Sequence, residues 1–223
     1  DHRDLHVRSR RQRQMCIRDR TTEKQTIGRG RRNSYWNSKD NDLLATWSIN
    51  KTLIEQINPG LIQIAVGSRI SNILGQYCKW PNDIVDNNGH KMGGVLVEMD
   101  SESENLRIGV GINRFNHQIG DLIIRGWKEN LPELELDELF AIIDAELSTL
   151  FEEHPQLENK FDIDEIKSKS WRILSRLMSR GYTVNINGIS SRITALEADG
   201  YLSIISNNHR ENIHDIDSLE WLF

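Results

Sequence analysis

Cysteine, long apolar runs and the common nucleotide-binding fingerprints are all scarce in this sequence of 223 residues. Only two cysteines occur, Cys16 and Cys78. Two thiols cannot form a disulfide framework, so we interpret both as free thiols in a reducing cytoplasm. No apolar run reaches the length of a membrane span, and no signal peptide with an apolar core opens the chain. We therefore expect a cytoplasmic protein that does not bind a membrane.

The charge of the chain is unevenly distributed. The overall composition, 37% hydrophobic and 27% charged, fits a soluble enzyme with one ordinary domain and a smaller one. Residues 1–32 carry 11 Lys and Arg against 4 Asp and Glu, whereas residues 33–223 carry 17 against 29. An acidic body argues against a general nucleic-acid-binding surface. It thereby disfavours one rival interpretation, a non-catalytic RNA- or protein-binding module, which requires a basic body.

Residues 1–20 differ from the rest of the chain. They are rich in arginine and lack apolar periodicity. One interpretation is a basic arm for nucleic acid. The interpretation that we favour is a disordered or non-native extension, because nothing in these residues can bury an apolar face. We expect them not to pack on the body.

A group of polar residues lies near the middle of the chain. The run Lys79-Trp80-Pro81-Asn82-Asp83-Ile84 is followed by Lys91 and by Gly93-Gly94. Residues 86–89 tolerate a positive φ and so favour a hairpin turn, and apolar residues alternate over 95–99. The pattern places an amide, a carboxylate and two ammonium groups on two neighbouring strands. Taken alone, it could equally be a structural hairpin with a charged edge.

A glycine- and arginine-rich segment lies about fifty residues upstream. It reads Gln25-Thr26-Ile27-Gly28-Arg29-Gly30-Arg31-Arg32 and is followed by Trp36. Backbone N–H groups and guanidinium groups in such a segment can surround an anion. The segment is neither a P-loop nor a G-x-G-x-x-G fingerprint. On its own it could be a solvated loop or a nucleic-acid tail.

Apolar periodicity indicates an α+β protein. Strands are predicted over 22–27, 43–49 and 105–113, and helices over 61–77, 138–153 (with Asp137 as the N-cap) and 164–178. After Gly181 the period changes to two. Asn187-Gly188 is a strong hairpin signal, and four or five short strands to residue 223 predict a small barrel or sandwich.

These blocks, together with Gly109-Val110-Gly111-Ile112-Asn113 and in this order, resemble the catalytic domain of biotin protein ligases from about Thr22 onward. The resemblance implies a mixed, mostly antiparallel sheet with packed helices, related to class II aminoacyl-tRNA synthetases, and a small C-terminal SH3-like β-barrel. The implied division is an extension over 1–20, a catalytic domain over 21–178 and the small domain over 179–223. No helix-turn-helix precedes the catalytic region, so neither DNA binding nor a repressor function is expected.

The resemblance also implies a reaction. Biotin is activated with ATP and Mg²⁺ to biotinyl-5′-adenylate and is then transferred to one lysine of a biotin carboxyl carrier domain. That carrier belongs to acetyl-CoA carboxylase or another biotin-dependent carboxylase. No tightly bound prosthetic group is expected, and a homodimer is left open. The nearest alternative is a lipoate or octanoate ligase of the same fold, against which Trp-Pro-Asn-Asp and Gly-Arg-Gly-Arg-Arg argue.

The site residues follow from the resemblance. The predicted catalytic residues are Arg31, Lys91 and Asp83; the biotin contacts are Gln25, Arg29, Gly30, Arg31, Lys91 and Gly94; and the adenylate contacts are Arg29, Arg31, Arg32, Trp36, Asn82 and Asn113. The arginine segment is expected to close over the ligand and exclude water. Asp83 is expected to organise magnesium through water or to orient a cation, and no direct metal ligand is predicted. The Ser-Thr-Asn-like biotin contact of the family is not found, and Asn33 stands where the family usually has glycine.

Overall fold

The computed structural model describes residues 17–22, 28–31, 34–51, 54, 57–99, 103–152, 162–214 and 219–223. The helices are α1 (Pro59–Ile73), α2 (Leu136–Glu152) and α3 (Ile163–Ser179), with a 3₁₀ turn over Trp127–Glu129. The strands are β1 (Ile17–Thr21), β2 (Gly28–Arg29), β3 (Tyr35–Trp36), β4 (Leu43–Asn50), β5 (Tyr77–Lys79), β6 (Asp83–Val85), β7 (Lys91–Met99), β8 (Asn105–Ile112), β9 (His117–Ile119), β10 (Leu122–Ile124), β11 (Thr183–Ile186), β12 (Ile189–Leu196), β13 (Leu202–Ser206), β14 (His209–Ile213) and β15 (Glu220–Leu222). None of the helices in these ranges is long and apolar enough to cross a membrane.

The larger sheet has eight strands. Its main path is β1-β4-β8-β7-β10-β9, while β6 joins at β7 and β5 at β6. Every pairing is antiparallel except that of β10 with β7. The prediction of a mixed, mostly antiparallel sheet with packed helices is therefore confirmed.

The two faces of this sheet have different roles. On one face, alternate residues of β4 are buried against the helices, and the indole N–H of Trp47 donates to Asp144 of α2 at 2.9 Å. Full burial of one such large apolar side chain contributes about 1.5–3 kcal/mol. The opposite face is lined by small residues, among them Gly94, Gly109 and Gly111. The core thus lies on the helix side and leaves the other face free for a site.

Helix α1 lies against the sheet and is buried along most of its length. Pro59 occupies its first turn, and the side chain of Asn58 accepts a hydrogen bond from the N–H of Gly60 at 2.8 Å. The predicted range of 61–77 was wrong at both ends. The helix stops at Ile73 because Gly75, with φ of 64°, takes the left-handed conformation that ends helices.

The later helices differ slightly from prediction at their beginnings. Asp137 was predicted as the N-cap of α2, but the helix begins one residue earlier, so Asp137 lies in its first turn. Helix α3 begins at Ile163, because the side chain of Asp162 accepts a hydrogen bond from the N–H of Glu165 at 3.0 Å. Both helices carry acidic residues in the first turn, which the helix dipole favours.

The prediction that residues 1–20 do not pack on the body is wrong for residues 17–20. Strand β1 pairs with β4 from Ile17 opposite Ile49 to Thr21 opposite Ala45. The edge of β4 offers unpaired N–H and C=O groups, and an adjacent segment can satisfy them whatever its side chains. Residues 1–16 and most of the predicted strand 22–27 lie outside the described residues.

The C-terminal strands form a second, five-stranded antiparallel sheet in the order β14-β13-β12-β11-β15. The β strands predicted after Gly181 are therefore confirmed. The predicted hairpin at Asn187-Gly188 is also found, with φ values of 51° and 84°.

The second sheet contacts the motif Lys79–Ile84 and the turn that follows it. The indole N–H of Trp80 donates to the carbonyl of Gly200 at 2.9 Å. The ammonium of Lys79 lies 5.3 Å from the centre of the Phe223 ring. The hydroxyl of Tyr182 donates to the carbonyl of Asn87. The C-terminal sheet therefore supports the hairpin that carries the predicted catalytic residues.

Candidate active site

Lys91 and Asp83 meet because β7 contains a β-bulge. Asp83 pairs with Gly94 and Val85 pairs with Lys91, so Met92 is an extra residue opposite β6. Regular alternation would place Lys91 and Gly94 on opposite faces of the sheet, whereas the bulge brings them to the same face. The ammonium of Lys91 lies 2.6 Å from Oδ1 of Asp83. Two predicted catalytic groups are thus brought together.

Trp36 lies over the same part of the sheet. The ammonium of Lys91 is 5.6 Å from the centre of its ring, within the range of a cation–π contact. A Cβ atom on Gly111 would lie only 2.7 Å from Cε2 of the indole. Glycine at this position therefore allows the aromatic ring to lie directly on the strand.

A cavity of about 470 Å³ opens on this face of the sheet. Small-molecule sites commonly measure about 300–1,000 Å³. Glycines form much of its floor, since Gly94 pairs with Gly111 and Gly109 pairs with Leu96 on neighbouring strands. The lining residues are Arg29, Trp36, Leu44, Ala45, Thr46, Gly94, Leu96, Glu98, Arg107, Gly109, Val110 and Gly111.

The glycine- and arginine-rich segment forms a small hairpin at the cavity. Strands β2 and β3 pair, with Gly28 opposite Trp36. The N–H of Gly30 donates to the carbonyl of Ser34 at 2.7 Å, and a Cβ on Gly30 would meet the Ser34 hydroxyl. Arg29 lines the cavity, and Arg31 is half-buried in the same hairpin. Gln25 and Arg32 lie outside the described residues, so their predicted roles stay predictions.

The two predicted asparagines occupy structural positions. The backbone carbonyl of Asn82 accepts a hydrogen bond from the N–H of Val95 at 2.9 Å. Asn113 is only 3% exposed, and both its backbone N–H and its side-chain amide donate to the carbonyl of Met92, at 2.9 and 2.8 Å. Asn113 therefore holds the carbonyl of the bulged residue. Contact of either asparagine with adenine stays a prediction.

Several residues at the site were not predicted from the sequence. Glu98 and Arg107 face each other on β7 and β8 at one part of the cavity, and Thr46 lines it from β4. Alternation along the predicted strands could have grouped the residues of this face, because residues two apart in a strand share a face. Leu44 and Thr46 are one such pair, and Gly109 and Gly111 are another. Which face would hold the ligand was not readable from the pattern.

The surroundings of the site change the ionisation of two groups. Burial lowers the pKa of Lys79, the ammonium of Lys91 lowers it further, and Asp83 opposes both effects. Burial raises the pKa of Asp42, and hydrogen bonds from the N–H groups of Lys39 and Arg114 lower it by a smaller amount. These two bonds, 2.7 and 2.8 Å long, tie the segment after Trp36 to the end of β8.

A direct metal site is not evident in the described ranges, which contain no group of three or more His, Cys, Asp or Glu side chains able to hold an ion. Asp83 is the carboxylate beside Lys91, and it is already paired with that ammonium. Mg²⁺ commonly keeps several waters and is held mainly by substrate phosphates. One carboxylate contacting the ion through water fits that chemistry.

Comparison with known proteins shows which families and structures this chain is similar to. Residues 18–113 match the profile of the Biotin/lipoate A/B protein ligase family. The fold agrees: the biotin protein ligase from Aquifex aeolicus in complex with biotin and ATP superimposes with a TM-score of 0.69 at 21% identity. This match covers 92% of this chain and 88% of that one. Residues 18–113 are thus similar in sequence to this family, and the chain is similar in fold to a biotin protein ligase.

The curated relatives that match this chain in sequence include biotin protein ligases. The bifunctional ligase/repressor BirA of Bacillus spizizenii is 35% identical over 108 residues, which is 44% of this chain and 33% of that protein. The biotin–protein ligase of Homo sapiens is 31% identical over 150 residues, 58% of this chain and 21% of that protein. The chain therefore spans a third or less of the length of these curated relatives.

Proposed function

We propose that this protein activates biotin with ATP to biotinyl-5′-adenylate and then transfers the biotinyl group to one lysine of a biotin carboxyl carrier domain. The observation that carries the proposal is the cavity with a glycine floor, bordered by Trp36, beside the Lys91–Asp83 pair. The similarity to biotin protein ligases supports it. The proposal includes a cytoplasmic setting and a carrier from a biotin-dependent carboxylase.

Lys91 is proposed to supply the positive charge that adenylation requires. A carboxylate must approach the α-phosphate of ATP, and both groups are anions. An ammonium fixed beside them offsets their repulsion and the charge that builds up during attack. Magnesium on the phosphates would supply further positive charge, and Asp83 would contact it through water while orienting Lys91. Arg29 and Arg31 would bind the phosphate, as guanidinium groups do bidentately.

The glycine floor leaves space for a ring system to lie directly against the sheet. Without side chains at Gly94 and Gly109, a ligand can lie directly on the sheet, and Leu96 offers an apolar wall. Trp36 would then stack on the adenine. The five-stranded C-terminal sheet is proposed to be the SH3-like domain implied by the sequence, which supports the hairpin through Trp80.

A biotinylation assay tests the proposed function. The protein is mixed with biotin, Mg-ATP and a purified biotin carboxyl carrier domain, and the carrier is weighed by mass spectrometry. One added biotinyl group on a single lysine is expected. Parallel reactions with lipoate and octanoate, each with its own carrier domain, test the alternative ligases. Transfer of lipoate or octanoate in preference to biotin would contradict the proposal, as would the absence of any transfer.

A further inference from the structure

Three polar side chains form a cluster next to Lys91 in the fold, those of Asp86, His90 and Arg125. None of the three lines the cavity. The centre of the cluster is Asp86, which is 7% exposed and belongs to the turn between β6 and β7. Oδ2 of Asp86 accepts a hydrogen bond from Nε of Arg125 at 3.0 Å and lies 3.0 Å from Nδ1 of His90. Oδ1 accepts the backbone N–H groups of Asn88 and His90, each at 2.8 Å. Four contacts therefore converge on one carboxylate.

The carboxylate is held in its ionised form. Burial alone would raise the pKa of Asp86, but hydrogen bonds from the side chain and N–H of His90 and from the N–H of Asn88 lower it below its usual value. An ionised carboxylate makes stronger hydrogen bonds than a neutral acceptor. Asp86 can therefore anchor the guanidinium of Arg125 firmly.

Arg125 joins this cluster to Lys91. Its backbone N–H donates to the carbonyl of Lys91 at 2.8 Å, where β10 runs beside β7 with Ile124 opposite Lys91. One residue further along β7, Asn113 holds the carbonyl of Met92. The backbone of the bulge is thus fixed from two sides. Asp86 contributes to the restraint at Lys91, because it holds the side chain of Arg125, whose backbone N–H donates to the Lys91 carbonyl.

The position of Lys91 in the strand makes such support necessary. Lys91 is the first residue of β7, and strand ends that make few contacts open readily. A group that acts on a transition state must be held within about 0.5 Å of its productive position. The ion pair with Asp83 restrains only the side chain.

We propose that Asp86 and Arg125 are positioning residues that fix the backbone of Lys91 and thereby aim its ammonium at the reacting carboxylate and phosphate. The inference rests on the proposed ligase function. Neither residue touches substrate. Their contribution is to the rate of adenylate formation, and the binding of biotin and ATP is left almost unchanged.

The first test compares steady-state kinetics of adenylate formation. Asp86→Asn keeps an oxygen for the two N–H groups of the turn but places an amide against Arg125. We expect kcat to fall about tenfold, less than the hundredfold that a misplacement of about 1 Å can cost, with unchanged KM for biotin and ATP. Arg125→Met should give the same loss, and Arg125→Lys, which retains a cation for Asp86, should recover much of it. Glu146→Gln is the control, because it breaks the Arg69–Glu146 ion pair of 2.6 Å between two helices and should leave kcat unchanged.

The second test does not depend on activity. Competitive acetylation followed by mass spectrometry measures the reactivity of each lysine, and Lys91 is 38% exposed and so accessible to the reagent. In Asp86→Asn the reactivity of Lys91 should rise several-fold while that of Lys128 stays constant. If the wild-type protein makes no adenylate, the proposed function fails but this measurement still tests the positioning. Unchanged reactivity of Lys91, or equal losses in kcat and in the affinity for both substrates, would overturn the inference.

Discussion

The ammonium of Lys91 and the carboxylate of Asp83 lie 2.6 Å apart on adjacent strands, on the face of the sheet that also bears the cavity. The Lys91 side chain is 38% exposed, and an exposed ion pair contributes only about 0–1 kcal/mol to folding. The ion pair therefore contributes little to the stability of the folded protein. Its place beside Trp36 and Gly94 supports the proposed role in the reaction.

Lys91→Ala should abolish most adenylate formation and leave the fold intact. The substitution removes the cation proposed to offset two approaching anions, while the stability of the folded protein should change by less than about 1 kcal/mol. Biotin-dependent release of pyrophosphate measures the first effect, and urea denaturation measures the second. A variant that released pyrophosphate at the wild-type rate would exclude Lys91 from the chemistry.

Arg31→Ala should differ from Lys91→Ala in what it releases. Loss of one preorganised charged donor typically costs roughly 3–4 kcal/mol at the transition state. If Arg31 also closes the site, the adenylate that still forms should escape and label nearby lysines indiscriminately. Labelling of a bystander protein, measured by mass spectrometry, should be high for Arg31→Ala and near background for Lys91→Ala. Equal bystander labelling by the two variants would contradict the lid assignment.

Trp80→Phe should weaken the attachment of the C-terminal sheet. The indole N–H of Trp80 donates to the carbonyl of Gly200, and loss of a buried hydrogen bond costs about 1–3 kcal/mol when its partner is left unsatisfied. Urea denaturation should show this loss. Trp36→Phe is the matched control, since its indole nitrogen has no hydrogen-bond partner among the described residues. Equal loss of stability in both variants would show that ring size, and not the hydrogen bond, is responsible.

Sequence periodicity predicted the three helices and the strands over 43–49 and 105–113, because each follows from local alternation. The Asn187-Gly188 hairpin and the turn over 86–89 were found because their φ values depend on one or two residues. The bulge at Met92 was not predicted, since it depends on hydrogen bonds from Asn113, which is distant in sequence. The contact of Arg125 with Lys91 was not predicted for the same reason, since these two residues are also distant in sequence. The pairing of β1 was missed because it uses backbone groups, which side-chain patterns do not report.

Cys78 should be inert in the folded protein. Burial and, to a smaller extent, the negative charge of Asp83 together raise the pKa of its thiol to about 12, and its side chain is fully buried. The thiolate is the reactive form, and almost none is present at pH 8. In a Cys16→Ser background, a thiol reagent such as 5,5′-dithiobis(2-nitrobenzoate) should react only after denaturation. Rapid reaction of the native protein would show that strand β5 opens.

Substitutions at two adjacent glycines should distinguish an effect on folding from an effect on ligand binding. A Cβ on Gly94 would meet only ordinary contacts, 3.6 Å from Oδ1 of Asp83 and 3.7 Å from Cε of Lys91. A Cβ on Gly93 would lie 2.8 Å from the backbone carbonyl of Gly111. Gly94→Ala should therefore fold normally and project its methyl group into the cavity, whereas Gly93→Ala should distort the sheet.

The two alanine variants should lose different properties. An extra methyl in a filled space typically costs about 1–3 kcal/mol. Gly94→Ala should lose that amount in the free energy of biotin binding, measured by isothermal titration calorimetry, and little in the free energy of unfolding. Gly93→Ala should lose a similar amount in the free energy of unfolding, because its methyl group presses on backbone that cannot move aside. Biotin binding of wild-type strength by Gly94→Ala would show that biotin does not lie on this part of the glycine floor.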